Sequence, residues 1–154
     1  MSGPPWLAHV ASAQGHIVAE HMNGLAPEPV DYSNIPGCTY CQPQVGSLGL
    51  TEAEAIKEGF NVKVGKFLFQ ASGKAMAVGD TTGFVKLVFD EKYGELLGAH
   101  IVGSEATELI AELGVAKALE TTWEGIAMTI HAHPTLSESI MEAAMDAFGS
   151  AIHQ

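Results

Sequence analysis

The hydrophobic period changes twice along this chain, and that restricts its fold more than any other feature. Over residues 5–22, Leu7, Val10, Ala11, Gln14, Val18 and Met22 recur at close to helical spacing, and the pattern stops at Asn23-Gly24 as a helix should. From residue 62 the period is two: Val62, Val64, Phe67 and Phe69 predict a strand that shifts face near Gly65-Lys66, followed by strands at Phe84–Phe89 and Leu96–Val102. After Gly103 the helical period returns with Ala106, Leu109, Ile110, Leu113, Ala116 and Leu119. A short helix over Thr121–Thr129, around Trp123 and Ile126, and a last one over Thr135–Phe148 complete the chain. This order predicts an α+β fold: a small antiparallel β-sheet, a meander, with helices packed on one face.

The intervening segments fit that plan. Residues 25–37 hold three Pro and read as an extended connection, and short β signals follow at Thr39–Cys41 and Val45–Leu50. Thr51-Glu-Ala-Glu54 has capping-box spacing and opens a helix of two turns ending at Gly59. Between the last two strands, Gly94 can supply the positive φ of a hairpin turn, so these strands should pair antiparallel. At 154 residues, 47% hydrophobic and 16% charged, the chain is one domain's worth of sequence with a real core, and disorder is excluded.

Charge narrows the function. All seven basic residues are Lys against 18 carboxylates, a net charge of −11, and ten of the acids fall in residues 91–154. Nucleic acid and anionic membranes both require a basic face, so neither is an expected partner. The absence of a long apolar run, of a basic leader before an apolar stretch and of a cysteine framework together predict a protein that is not secreted and not inserted in a membrane. No G-x-G-x-x-G or P-loop pattern occurs, so nucleotide phosphates are not bound here by a glycine loop and helix N-terminus.

The densest chemistry lies in His131-Ala-His133-Pro134-Thr135-Leu136-Ser137-Glu138. Thr135 and Glu138 have the spacing of a second capping box, a purely structural role for Glu138. The same carboxylate could instead orient His133 and raise its basicity, making it a general base. Pro134 bars a helix through His133 and allows a cis bond there. Cys38-Thr-Tyr-Cys41 is a C-x-x-C, open to three readings: a redox pair, half of a zinc site with His131 and His133, or two buried, inert thiols. The redox reading is disfavoured because Cys38 leads into a β signal rather than a helix N-terminus, and zinc would need ligands some ninety residues apart. His9, His16 and His21 on the first helix read as surface or packing residues.

The stretch from His131 to Glu138 resembles the signature of the dihydrolipoamide dehydrogenases, in the pyridine nucleotide-disulfide oxidoreductase family. The likeness extends in order through Ile35-Pro36 to Tyr40, Pro43, Val45, Gly49-Leu-Thr51-Glu52, Val64-Gly-Lys66-Phe67, Asp80-Thr-Thr-Gly83-Phe-Val-Lys86, Leu97-Gly98-Ala-His100-Ile-Val-Gly103 and Glu105. Cys41-Gln42 and Gly46-Ser47 depart from it. What resembles the family is its C-terminal third, the interface (dimerisation) domain. Residues 1–34 correspond to a lead-in helix and connection from the end of an FAD-binding domain, and residues 35–154 to the interface domain itself.

The resemblance implies that FAD and NAD serve a full-length parent, bound by segments ahead of Met1, and that this chain alone binds neither and is inactive. It implies that His133 is the acid–base catalyst for the partner subunit's disulfide and dihydrolipoamide, oriented by Glu138. Further, the His133-Pro134 bond is expected to be cis, with His133 and Pro134 near the partner's flavin. Leu7, Ala8 and His9 match the segment that touches the flavin of the same subunit; Cys38 and Cys41 do not match the family's redox pair, no metal is expected, and His131 has no firm role. A homodimer follows, with Met141, Met145 and Phe148 spaced to line one side of its apolar surface, together with lipoyl domains of 2-oxo-acid dehydrogenase complexes as partners of the parent, in the cytoplasm or an organelle matrix. Two other readings stay open: a stand-alone dimerisation or interaction module, and a small metal-dependent hydrolase using His131, His133 and the Cys pair.

Overall fold

A computed structural model describes residues 3–153. Contacts divide the chain into two compact units, Met1–Ile35 and Pro36–Gln154. In the first, helix α1 (Ala8–Met22) starts after the extended Leu7 and ends at Asn23, followed by Gly24 at φ 81°. A 3-10 turn, Tyr32–Asn34, is capped by Asp31, which accepts from the Ser33 amide at 2.8 Å. The Gln14 amide donates to the Tyr32 hydroxyl at 2.7 Å. Of the apolar stripe on α1 only Val10 is buried, while Val18 and Met22 are exposed.

The second unit holds five strands: β1 (Gly37–Thr39), β2 (Gln44–Gly49), β3 (Val62–Leu68), β4 (Gly83–Asp90) and β5 (Leu96–Gly103). They form one antiparallel sheet in the order β1-β2-β5-β4-β3. The expected meander is β3-β4-β5, with Gly94 at φ 72° in the last turn. β2 returns to the free edge of β5, with Leu48 opposite Ala99. The helices are α2 (Glu52–Lys57), α3 (Gly73–Val78), α4 (Ala106–Ala118), α5 (Trp123–Met128) and α6 (Glu138–Ala147). On one face α4 packs against β2 and β5, α6 against β3 and β4, and α5 against α6. Val85, Leu87, Phe89, Ala99 and Ile101 meet Ile110, Leu113, Ile140 and Ala143–Ala144 in this layer, all of them buried. Ala55 of α2 makes a smaller cluster with Val88 and Leu97, residues that alternate with the main core positions along their strands.

Two glycines allow the helices to lie close on the sheet. A Cβ on Gly65 of β3 would stand 1.8 Å from the Ala143 carbonyl oxygen of α6, and one on Gly46 of β2 would stand 2.6 Å from the Ala106 carbonyl oxygen of α4. The departure at Gly46-Ser47 is therefore a site of close helix–strand approach.

Several expectations need correction. Helix α3, capped by the Ser72 hydroxyl, has no counterpart in the periodic reading, because one turn and a half is too short to show a period. Phe69 leaves β3 for a 3-10 turn, Cys41 lies outside β1, and α6 begins at Glu138 rather than Thr135. Leu119 is the C-cap of α4 and is exposed. Phe148 does not line an outer surface: it stacks on Trp123 at 4.6 Å and meets Phe89 edge-on at 5.9 Å, against the core. Met141 and Met145 are half-buried. Among the described residues no helix is long and apolar enough to cross a membrane.

Candidate functional site

The candidate site is the loop between α5 and α6. Thr129 ends α5 and its hydroxyl donates back to the Gly125 carbonyl at 2.7 Å. Pro134 then keeps the chain from entering α6 directly, and the His133-Pro134 bond is cis. His133 is thereby carried outside both helices, with its ring 80% exposed.

The His133 Nδ1 lies 2.9 Å from Glu138 Oε1, and the Thr135 amide donates to Glu138 Oε2 at 2.7 Å. One carboxylate thus performs half of each predicted role. The other half of the capping box is replaced, because the Thr135 hydroxyl donates to the Ala132 carbonyl at 2.7 Å. At Thr51 and Glu54, by contrast, both halves of the box form.

The Thr135 amide holds the Glu138 carboxyl below its ordinary range, against the opposing effect of burial and with lesser help from His133. Glu138 is therefore ionised at neutral pH and can only accept. The proton between it and His133 then belongs to Nδ1, which leaves Nε2 as the nitrogen that can gain or lose a proton. The pair borders a groove of about 280 Å³ whose walls include Phe67, Met76, Met141 and His153.

His131 behaves differently from its neighbour. Its ring is only 4% exposed, with Nδ1 at 2.8 Å from the Thr129 carbonyl and Nε2 at 2.8 Å from Glu112 Oε1 on α4. The spacing of the sequence gives no hint of Glu112, which is brought to the loop by the packing of α4. A third pair, His153 Nδ1 to Glu142 Oε1 at 2.6 Å, fixes the end of the described chain to buried Glu142, whose Oε2 also accepts from the Ile152 amide.

Other predicted residues belong to other elements. Leu7, Ala8 and His9 open α1 in the unit Met1–Ile35, with His9 exposed. Cys38 and Cys41 are free thiols but not both buried as expected: Cys38 is half-buried against the core, and Cys41, beyond the end of β1, is exposed, its Sγ hydrogen-bonded to the Pro43 carbonyl at 3.0 Å. No cluster of three or more His, Cys, Asp or Glu able to hold a metal occurs among the described residues, which removes the ligand set of the hydrolase reading. The sequence carries no glycine-rich phosphate loop, and the groove at His133 is walled by apolar Phe67, Met76 and Met141 together with Glu138, Glu142 and His153.

The antiparallel sheet with its helix layer is the fold of a disulfide oxidoreductase dimerisation domain. Residues 35–144 fit the family model described as the pyridine nucleotide-disulphide oxidoreductase dimerisation domain, and the chain belongs to that family. Among similar proteins are a dihydrolipoyl dehydrogenase of Rhizobium etli, 51% identical over 99% of this chain and 32% of its own length, and one of Zymomonas mobilis, 54% identical over 99% and 33%. The crystal structure of LpdA from Mycobacterium tuberculosis superposes with a TM-score of 0.87 at 26% identity, covering 93% of this chain and 31% of that one. The chain spans about a third of the length of the curated relatives it matches.

Proposed function

We propose that this chain is the interface domain of a dihydrolipoyl dehydrogenase and that His133, oriented by Glu138, is the acid–base group it lends to a partner subunit. In this reading residues 1–34 lead in from the cofactor-binding part and residues 35–154 form the interface domain. FAD and NAD would be carried by the two thirds of such a protein that this chain does not span, with Leu7, Ala8, His9 and Pro134 approaching the flavins. The observation that carries the reading is the exposed His133 ring, tied at Nδ1 by an ionised carboxylate so that Nε2 faces outward.

The chemistry follows from that atom. A thiol of dihydrolipoamide is a poor nucleophile until it loses its proton. Nε2 accepts the proton, and the thiolate attacks one sulfur of the partner's disulfide, forming a mixed disulfide and releasing the other sulfur as a thiolate. The second substrate thiol then gives its proton to the released thiolate and attacks the substrate sulfur of the mixed disulfide, closing the lipoamide ring and expelling the other enzyme sulfur, which takes the proton held on Nε2; the enzyme dithiol keeps the two electrons. Glu138 stabilises the imidazolium in between. Such a site needs two copies of the domain-bearing protein, which accounts for a catalytic pair on a domain without cofactor motifs.

In a full-length protein carrying this domain, His133→Gln should lower dihydrolipoamide turnover by about 10²- to 10⁴-fold, the usual worth of a general base, and Glu138→Gln by less. Turnover unchanged in His133→Gln would remove the reading.

A further inference from the structure

The loop that carries His133 has little packing of its own. Ile130, Ala132, His133 and Pro134 are all exposed, Ile130 almost completely at 97%. Within one chain no apolar burial holds these positions, so there hydrogen bonds decide where the loop stands. Glu138 holds it from α6, which rests on β3 and β4. From the other side His131 turns its ring inward and meets Glu112 on α4, which rests on β2 and β5. A carbonyl only accepts, so His131 Nδ1 donates to Thr129, while Nε2 stands 2.8 Å from Glu112 Oε1. Both ring nitrogens are engaged, and the ring cannot turn without losing both bonds.

We propose that His131 and Glu112 form a positioning pair, a strut from α4 that fixes the loop in the place where His133 can meet Glu138. This rests on the reading of His133 as the acid–base group but concerns a different pair of residues. Two glutamates, one on each of the helices that brace the sheet, clamp the loop through alternate histidines. His131 touches no substrate in this arrangement. Its effect passes through the backbone of Ala132 to His133, and the Thr135 hydroxyl on the Ala132 carbonyl carries it on toward the start of α6.

The test uses this chain and nuclear magnetic resonance of the His133 ring nitrogens, with hydrogen exchange at the Thr135 amide. Glu112→Ala should move the His133 ring signals and speed Thr135 exchange about tenfold, the effect of losing one ordinary hydrogen bond. Exchange in β4 and β5 should stay as it was. Glu112→Gln keeps a partner for Nε2 and should restore the wild-type signals, a rescue that mere filling of space by α4 would not require. If Glu112→Ala disturbs the sheet, His131→Gln carries the same test from the loop side. Unchanged His133 signals in the folded variants, or a Glu112→Gln chain as altered as Glu112→Ala, would overturn the strut. None of these readouts uses turnover, so failure here is distinct from failure of His133→Gln in the longer protein.

Discussion

Glu138 shows how a residue can be legible in sequence and still be misjudged. Its spacing from Thr135 suggests a cap and its spacing from His133 suggests a dyad, and both are local enough to read. The carboxylate has two oxygens and divides them between the two partners, so the alternatives do not compete. Glu112 was not legible, because its link to His131 crosses 19 positions and depends on how α4 packs. The depressed Glu138 carboxyl has a measurable consequence. A carboxyl whose folded pKa lies below its unfolded value contributes stability in full above the unfolded value and loses it as pH falls through the folded one. The stability of the chain should therefore decline on acidification from the ordinary carboxylate range downward. In Glu138→Gln the decline should be shallower by one group's contribution, while the similarly depressed Glu54, held by the Thr51 amide and hydroxyl, keeps its share. Urea unfolding followed by circular dichroism at a series of acid pH values measures this; parallel curves for the two proteins would mean that the Thr135 and His133 bonds do not bias Glu138 in solution.

At the scale of elements, the three strands of the meander and the helices α1, α2, α4, α5 and α6 were readable because each carries its own period or cap. The pairing of β2 with β5 was not, since nothing in an edge strand's pattern names its partner, and neither was the inward turn of Phe148 onto Trp123. Glycine is the sharpest case, because a sequence shows the residue but not what lies above it. Gly65 lies beneath the α6 backbone, with the Ala143 oxygen and the Ala147 nitrogen both in the way of a Cβ, whereas a Cβ on Gly114 of α4 meets nothing within 4 Å. The same change to alanine should then have opposite signs. Gly65→Ala must push α6 off the sheet and should cost about 1–3 kcal/mol or more, as overpacked cores do. Gly114→Ala should stabilise by about 0.5–1 kcal/mol through helix propensity. Denaturant midpoints of the two variants against the wild-type chain decide this, and a tolerated Gly65→Ala would mean that α6 does not sit directly on β3. Because α6 also carries Glu138, the Gly65 variant should disturb the His133 ring as well.

For the whole molecule, the open question is which surface meets a second copy. The resemblance places the last two helices, α5 and α6, at that surface with Met141, Met145 and Phe148 lining one side, but two of these are half-buried and the third packs against the core. Among the exposed large apolar groups are Val115 on α4 and Leu119 at its C-cap, with Met128 at the end of α5 and Ile130 just beyond it. Val115 and Leu119 follow Glu112 by three and seven positions, so they share its helix face, and the His131 bond to Glu112 brings the loop from Ile130 onward to that same side. An apolar surface of this kind, beside the loop that carries His133, is where a dimer would bring that loop to its partner. Each copy carries a net charge of −11, so like charge opposes the association and apolar burial must overcome it. The expected behaviour is a homodimer whose association tightens from low salt to about 0.1 M or more, where the Debye length falls to about 10 Å and the repulsion is screened. Ile130→Asp places a charge in the apolar patch and should leave monomers, whereas Met145→Gln on α6 should stay dimeric. Light scattering across protein and salt concentration separates the two surfaces: a dimeric Ile130→Asp with a monomeric Met145→Gln would return the interface to α6.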